Sequence, residues 1–277
     1  MSDASLSARP WRQVSPAMLA PVAGVPTMLS AEEQQLYYWL ARSRAGGPGP
    51  IADLGSFVGG SAARMALGLA DGGLRGPVHM FDRFTVQPGV KQRILYAQGI
   101  PPFDGEDLLP LSQRLLAPWA DRLRWHRGDI LGKSWPANAH PIRLMTLDIC
   151  KLPSVADHVT LTFLPHLREG AIVVQQDFLQ WDQPWTPVQM LLLGDWLEPL
   201  VRVGSSLVFR CVLVPDREAL AQATITDLDD AALVAGLDEA ARAYAAFDVA
   251  EGLALAAEVV RRNPGIRKPW ELKKPAA

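Results

Sequence analysis

The stretch that decides the fold reads IADLGSFVGGSAARMALG and occupies residues 51–68. Its first five residues form a short apolar segment that predicts a buried strand. The following SAARMALGLADG has the periodicity of a helix that ends in glycines. Glycine permits unusual backbone dihedrals and lets a ligand approach the main chain closely. The turn between strand and helix is therefore predicted to hold a ligand, with four small residues at its centre: Gly55, Ser56, Gly59 and Gly60.

Strand-like and helix-like segments alternate on both sides of this stretch, up to about residue 215. An earlier helix begins at the capping-box pair Ser30 and Glu33 and ends at the glycines 46–47. Residues 200–214 predict a hairpin. This alternation predicts an α/β fold with a doubly wound, mostly parallel seven-stranded sheet that a C-terminal antiparallel hairpin completes. The remaining strands are predicted at 77–82, 123–129, 142–148 and 171–177, and the helices at 90–99, 107–122, 153–170 and 186–200.

Composition divides the chain into three parts. Residues 1–26 are polar and punctuated by proline, which predicts a loosely docked N-terminal arm. Residues 27–215 form the α/β domain. Residues 216–277 are rich in alanine and predict two extra helices, which either cover the sheet or present a surface to a partner.

The totals exclude several classes of function. A net charge of −2 and a pI near 6.2 leave no electrostatic footprint for nucleic acid. The N-terminus lacks the apolar core of a signal peptide, and no apolar run approaches the roughly 20 residues of a membrane span. Cys150 and Cys211 follow no metal-ligand spacing and predict buried free thiols in a reducing compartment. We expect a cytoplasmic protein with a small-molecule partner and neither nucleic acid nor membrane.

Two phosphate-binding motifs can be compared with the turn. A P-loop requires G-x-x-x-x-G-K-[ST], and Gly55 and Gly60 have that separation, but Ser61 stands where the lysine is needed. The dinucleotide motif requires G-x-G-x-x-G, and its first two glycines cannot be aligned here. Asp53 would also lie close to the pyrophosphate. A nucleotide-binding oxidoreductase is therefore the weakest of the alternatives.

The segment DLGSFVGGS, residues 53–61, has the form [D/E]-x-G-x-x-x-G-x-S. It resembles the first motif of the class I S-adenosylmethionine-dependent methyltransferases, in particular their catechol O-methyltransferase-like and macrocin O-methyltransferase-like branches. The resemblance covers roughly residues 27–215. A carboxylate suits the cationic end of this cofactor, and backbone N–H groups at a helix start suit its carboxylate. The cofactor contacts that the resemblance implies here are Asp53, Gly55, Ser56, Phe57, Gly59 and Ser61.

Acidic residues that end the next two strands continue the resemblance. Asp82 follows the second strand, where the family holds both ribose hydroxyls with a carboxylate, a charge-assisted arrangement. Asp129 follows the third strand and is implied to lie near the adenine, with Ile130 packed on the ring. Gly-Asp is also an ordinary turn dipeptide, so a purely structural Asp129 stays open.

The fourth and fifth strands end in Asp148, Gln176 and Asp177. In metal-dependent relatives the corresponding residues bind a divalent cation, usually Mg²⁺, which prefers oxygen ligands. Gln176 departs from the pattern because those relatives usually carry a carboxylate there, and the loss of one charge lowers the expected affinity. The alternative is that Asp148 and Asp177 orient the substrate hydroxyl or the cofactor.

Lys151 lies three residues after Asp148, where catechol-type relatives keep a lysine base. It could act as the catalytic base only if its pKa were lowered; otherwise it is a surface lysine. His158 is a second candidate, His126 is a remote one, and His166 is expected to be structural. Two loops are candidates for a lid or specificity element, residues 83–91 and 178–187, the second with Trp181 and Trp185.

Taken with the resemblance, these residues predict methyl transfer from S-adenosylmethionine to a hydroxyl of a small molecule or saccharide. Asp148 and Lys151 are the catalytic candidates. The alternative from another class is an inactive methyltransferase-fold interaction module, which the missing carboxylate at Gln176 favours. In either case the C-terminal helices are a candidate homodimer surface.

Overall fold

A seven-stranded sheet organises the computed structural model, which describes residues 4–43 and 45–275. The strands are β1 Ile51–Leu54, β2 Val78–Asp82, β3 Leu123–Arg127, β4 Ile142–Leu147, β5 Leu167–Gln175, β6 Leu197–Val203 and β7 Ser206–Cys211. Their order is β3-β2-β1-β4-β5-β7-β6. The β1–β2 and β2–β3 pairs are parallel, whereas β7 is antiparallel to both β5 and β6. The predicted fold class, a mostly parallel sheet with an antiparallel hairpin, is confirmed.

Seven helices of seven residues or more lie in the described part of the chain. They are α1 Ala31–Arg42, α2 Gly60–Asp71, α3 Leu109–Leu115, α4 Pro153–Thr162, α5 Trp185–Leu192, α6 Asp230–Ala243 and α7 Ala250–Arg262. By internal contacts the chain forms two units, one of residues 1–133 and 138–145 and the other of residues 134–137 and 146–277. No helix among the described residues is long and apolar enough to cross a membrane. The three-part division expected from composition stays a prediction.

In the first unit the N-terminal segment is packed rather than loosely docked. Trp11 and Val22 have no solvent exposure. The buried Arg64 guanidinium donates to the backbone oxygen of Val25 at 3.0 Å. The expectation of a loose arm is wrong because a few apolar residues, spaced among polar ones, supply enough buried area to fix the segment.

The capping box that begins α1 is present as predicted. Ser30 accepts from the Glu33 N–H at 3.3 Å, and Glu33 accepts from the Ser30 N–H at 2.9 Å. The far end of α1 is held by Arg143 of β4, whose side chain is buried. Its guanidinium donates at 2.9 Å to the backbone oxygens of Ala41 and Ala45, which are carbonyls at and just after the helix end. Burial lowers the pKa of Arg143 to about 10, so it still carries its charge at neutral pH.

Four predicted helices have different bounds in the structure. The segment 90–99 is a π-turn at Lys91–Leu95 and a 3-10 turn at Tyr96–Gln98 rather than one α-helix. The segment 107–122 is α3 followed by a 3-10 helix, Ala117–Arg122, which carries a proline in its first turn. Proline lacks the N–H that an α-helix needs and therefore ends it.

The helix predicted at 153–170 ends at Thr162, and Pro165 lies in the 3-10 turn that follows. β5 then begins at Leu167, so Gly170 is a strand residue with φ 79° and not a helix stop. The helix predicted at 186–200 likewise ends at Leu192, and residues 197–200 belong to β6. Pairing with β7 outweighs the helical periodicity of that segment.

The C-terminal helices are part of the second unit. Gly236 of α6 lies against Val188 of α5, and a Cβ at position 236 would come within 2.7 Å of the valine side chain. Asp157 of α4 accepts from the backbone N–H groups of Ile225 and Thr226 at 2.8 and 2.9 Å. These contacts hold in place the segment that leads into α6.

Replacing Arg143 tests the buried cap of α1. Arg143→Met should lower the free energy of unfolding by about 3 kcal/mol, since it leaves buried carbonyl groups without donors. Chemical denaturation measures this loss. The matched control is Arg75→Met, at an exposed position, which should change stability by less than about 0.5 kcal/mol. Equal losses in the two variants would contradict the capping role.

Candidate functional site

The turn after β1 brings together the polar residues of the first motif. Asp53, only 2% exposed, accepts at Oδ2 from the Ser61 hydroxyl at 2.7 Å. The Ser56 hydroxyl donates to the backbone oxygen of Asp53 at 3.0 Å. Gly55 and Gly59 have φ angles of 98° and 101°, which side-chain-bearing residues rarely adopt. The motif is therefore a closed loop that links the end of β1 to the first turn of α2.

Two glycines of this turn are required by the packing of neighbouring residues. A Cβ on Gly59 would collide with the Leu116 side chain, and a Cβ on Gly60 would lie 2.5 Å from the backbone oxygen of Pro26. The predicted reason for these glycines, room for a ligand, is thus incomplete, because neighbouring residues occupy that space. Gly59 can meet a cofactor only through its backbone.

Asp82 at the end of β2 connects two turns of the first unit. Its Oδ2 accepts from the N–H of Phe57 at 2.8 Å, and its Oδ1 accepts from the N–H of Phe84 at 2.6 Å. Both phenylalanines have left-handed backbones, with φ angles of 50° and 53°. Such conformations cost about 1–3 kcal/mol each and cluster at functional sites. A carboxylate has about four acceptor positions, so Asp82 keeps acceptor capacity beyond these two bonds.

The environment of Asp82 also changes its acidity. Burial raises the pKa of Asp82 to about 6, and the nearby negative charge of Asp53 adds to this increase. The two backbone N–H groups act in the opposite direction. Asp82 therefore changes charge close to neutral pH.

Asp129 and Ile130 lie in the turn after β3. Asp129 caps the 3-10 turn Ile130–Gly132 by accepting from the Leu131 N–H at 3.0 Å, and it forms an ion pair with Arg83. Ile130 is 4% exposed. Asp129 thus has a role in this turn, and its contact with the adenine stays a prediction. The loop 83–91 is anchored as well, because Leu108 N–H donates to the backbone oxygen of Phe84 at 2.8 Å.

A second polar cluster lies in the second unit, at the ends of β4 and β5. The Lys151 ammonium donates to Asp148 Oδ1 at 2.7 Å and also to Asp177 Oδ2. The lysine side chain is 40% exposed, so the cluster is open to solvent on one side. Its backbone is fixed by a tight turn, Lys151 N–H to Ile149 O at 2.7 Å.

The pKa of Lys151 contradicts the prediction of a lysine base. Burial lowers this pKa, but the negative charges and hydrogen bonds of Asp148 and Asp177 outweigh burial and raise it above its ordinary value. A base at this position needs a lowered pKa. Lys151 therefore remains an ammonium group at neutral pH, and as a member of an ion-paired cluster it is also not an isolated surface lysine.

The predicted metal ligands do not form a ligand set. The Gln176 amide oxygen is buried and accepts from the Ser206 hydroxyl at 3.1 Å. Asp177 accepts from Lys151 and, at 3.3 Å, from the Gln183 amide. Within the described ranges no three His, Cys, Asp or Glu residues are placed to hold a metal ion. As they are arranged, the carboxylates of Asp148 and Asp177 are paired with Lys151 and the Gln176 oxygen with Ser206, so these residues do not present an open Mg²⁺ site.

The loop after β5 contains a residue that the sequence reasoning missed. One carboxylate oxygen of Asp182, Oδ1, is buried and accepts no hydrogen bond from the described residues. Burial and the charge of Asp177 raise the pKa of Asp182. The sequence singled this loop out for its tryptophans. Of these, Trp185 is fully buried and donates to the Cys150 oxygen at 3.4 Å, whereas Trp181 lies under Lys274.

The histidines are not brought into either cluster by any described contact. His126 on β3 shares a hydrogen bond of 2.9 Å with the buried His79 on β2 and stacks on Phe81. His158 of α4 makes an edge contact with Phe163. His166 lies in the 3-10 turn before β5, and its structural role stays a prediction.

Comparison with known proteins supplies structural neighbours only. No family model matches the chain, and no curated protein sequence matches it. The O-methyltransferase NovP is 15% identical, with a TM-score of 0.49, over 68% of this chain and 82% of NovP. The SAH-bound methyltransferase PaMTH1 from Podospora anserina is 13% identical, with a TM-score of 0.48, over 75% and 94% of the two chains. The calicheamicin methyltransferase CalS11 is 16% identical, with a TM-score of 0.49, over 72% and 94%.

The histidine pair predicts a loss of stability in acid. Burial, His126 and Arg124 lower the pKa of His79 to about 4, whereas an unfolded histidine titrates near 6.5. The unfolded chain therefore binds more protons between these values, and stability falls as pH drops from about 6.5 to about 4. His79→Gln, which cannot titrate, should remove roughly 2 kcal/mol of that loss. Denaturant unfolding across this pH range measures it, with the exposed His140→Gln as control; an undiminished loss in His79→Gln would exclude the pair as its source.

Proposed function

We propose that this protein is an S-adenosylmethionine-dependent methyltransferase that methylates a hydroxyl of a small molecule or saccharide. The observation that carries the proposal is the strained pair of turns joined by Asp82, next to the Asp53–Ser61 hydrogen bond. Strain of this kind persists only where surrounding contacts enforce it. The first motif, from Asp53 to Ser61, therefore has the rigidity that a binding site for a small charged ligand requires.

The residues of the first unit fit this cofactor. When bound, S-adenosylmethionine supplies an electrophilic methyl group on a sulfonium sulfur. The Asp53 carboxylate would balance the cofactor's positive charge, and backbone N–H groups of the turn and of the start of α2 would hold its carboxylate. Asp82 would accept from the ribose hydroxyls through its remaining acceptor positions. We assign Asp129 and Ile130 to the adenine end.

The polar cluster of the second unit fits an acceptor hydroxyl. An ammonium group has three N–H donors, and Lys151 uses two of them on Asp148 and Asp177. The third donor would hold the acceptor oxygen and stabilise the negative charge that develops on it. Because Lys151 stays protonated, the proton must go to another group. Asp182, with its raised pKa and unpartnered oxygen, is the proposed acceptor of that proton.

The C-terminal helices α6 and α7 are proposed as a homodimer surface. A cavity of about 440 Å³ opens on them, lined by apolar residues together with Asp230, Asp238 and Arg261. Charges of both signs around apolar residues suit a second copy of the same surface. A cytoplasmic location remains part of the proposal.

Cofactor binding tests the proposal directly. The chain should bind S-adenosylhomocysteine (SAH) in calorimetry, and Asp82→Asn should weaken this binding by tenfold or more, since it loses a charge-assisted acceptor. The exposed Asp195→Asn serves as the matched control. Binding of NAD(H) or ATP in place of SAH would favour an oxidoreductase or nucleotide-binding protein. No SAH binding at high micromolar concentration would refute the methyltransferase.

The pKa of Asp82 adds a pH dependence. Above about pH 6 the carboxylate is ionised and accepts from the ribose hydroxyls, whereas below this pH it takes up a proton. SAH affinity should therefore fall as pH drops below about 6, by up to tenfold per pH unit. Calorimetry between pH 5 and pH 8 measures the decrease. The residual binding of Asp82→Asn should lack this step, and a step of the same size in that variant would assign the titration to another group.

A further inference from the structure

The Lys151 ammonium group occupies the position between two carboxylates where a divalent cation was expected. We propose that Lys151 is a built-in replacement for that cation, so that this protein holds and activates its acceptor without a divalent metal. The part of the proposal that concerns the acceptor rests on the proposed function. The replacement itself rests on the contacts among Asp148, Lys151 and Asp177.

The charges of the cluster agree with this replacement. Asp148 and Asp177 carry two negative charges, and Lys151 compensates one of them. A divalent ion with a third carboxylate at position 176 would leave the same net charge of about −1. Gln176 removes one negative charge and Lys151 supplies one positive charge fewer than a divalent ion would. The two departures from a metal site therefore compensate each other.

The surrounding hydrogen bonds leave the carboxylates arranged for an ammonium group. The Gln176 amide oxygen accepts from the Ser206 hydroxyl, so it is already engaged in a hydrogen bond. Gln183 donates to the same Asp177 oxygen that accepts from Lys151. A metal ion bound to that oxygen would have to displace both donors, whereas the ammonium group satisfies it as it stands.

The backbone around Lys151 fixes the ammonium group in place. The tight turn from Ile149 to Lys151 and the hydrogen bond from the Trp185 ring to the Cys150 oxygen hold this loop on the second unit. A lysine on a mobile surface loop would lose much of its ion-pair energy to side-chain entropy. Here two carboxylates share one ammonium group on a fixed loop, which is the geometry of a preorganised charge.

Removing the lysine should create the metal site that the native chain lacks. We expect native protein to bind no Mn²⁺ by electron paramagnetic resonance at concentrations on the order of 1 mM, because its carboxylates are already paired. Lys151→Ala should gain one Mn²⁺ site with a Kd on the order of 0.1–1 mM. Adding Asp177→Asn to this variant should abolish the gained site.

The matched control is Lys268→Ala. Lys268 forms an ion pair of 2.9 Å with Glu271 at the same three-residue spacing, but only one carboxylate is involved. This variant should gain no site. If Lys151→Ala does not fold, as judged by circular dichroism, Lys151→Gln replaces it. Titration of native protein with Mn²⁺ also tests the replacement by itself.

The outcomes separate this inference from the proposed function. Native protein that binds SAH and also binds Mn²⁺ with a Kd below about 1 mM would overturn the replacement and leave the methyltransferase intact. A Lys151 variant that folds but gains no Mn²⁺ site would also overturn it. Absence of SAH binding, together with the gained site in Lys151→Ala, would retire the methyltransferase and support the replacement. SAH binding that is unaffected by EDTA, with Mn²⁺ bound only after lysine removal, supports both.

Discussion

The hydrogen bonds that the Asp82 carboxylate accepts are the interactions on which the turns after β1 and β2 depend. Its two oxygens hold the N–H groups of Phe57 and Phe84, one in the turn after β1 and the other in the turn after β2. Both of these residues have backbone conformations that a phenylalanine rarely adopts. The energy of the two charge-assisted hydrogen bonds offsets this strain. The same burial that strengthens these bonds raises the pKa of Asp82 to about 6, so rigidity and pH sensitivity have one physical origin.

In the second cluster, a partly buried charge is stabilised by neighbouring charges of opposite sign. At Asp82, burial outweighs the charge of Arg83 and the two backbone N–H groups, so the pKa of Asp82 is raised. Lys151 is also partly buried, but two carboxylates compensate it and keep it charged. The first arrangement gives an acceptor whose charge depends on pH, and the second gives a donor whose charge is constant over the neutral range. Each cluster therefore has a charge that is determined by its own surroundings.

The sequence predicted what depends on local pattern and on the ends of strands. Ser30 and Glu33 identified the start of α1, and the acidic residues after each strand lie where the alternation placed them. Prediction from the sequence failed where tertiary contacts determine the structure. Residues 197–200 have a helical pattern, but they belong to the strand that pairs with β7. The buried Trp11 holds in place an N-terminal segment that is polar by composition. Side-chain direction is the third limit, because no spacing rule shows that Gln176 bonds to Ser206 or that Lys151 lies between two aspartates.

The residues of the glycine turn are required for more than one physical reason. Gly59 and Gly60 are needed by the packing of Leu116 and Pro26, and Ser61 is needed to satisfy the buried Asp53. Each of these demands would exist in a protein of this fold without any cofactor, so these packing contacts alone do not specify an activity. Besides the rigid turns, the proposed activity depends on groups that keep hydrogen-bonding capacity: the remaining acceptor positions of Asp82, the third N–H of Lys151 and the unpartnered Oδ1 of Asp182. Unused hydrogen-bonding capacity in a partly buried place is costly for a fold to maintain, and a ligand that uses it removes that cost.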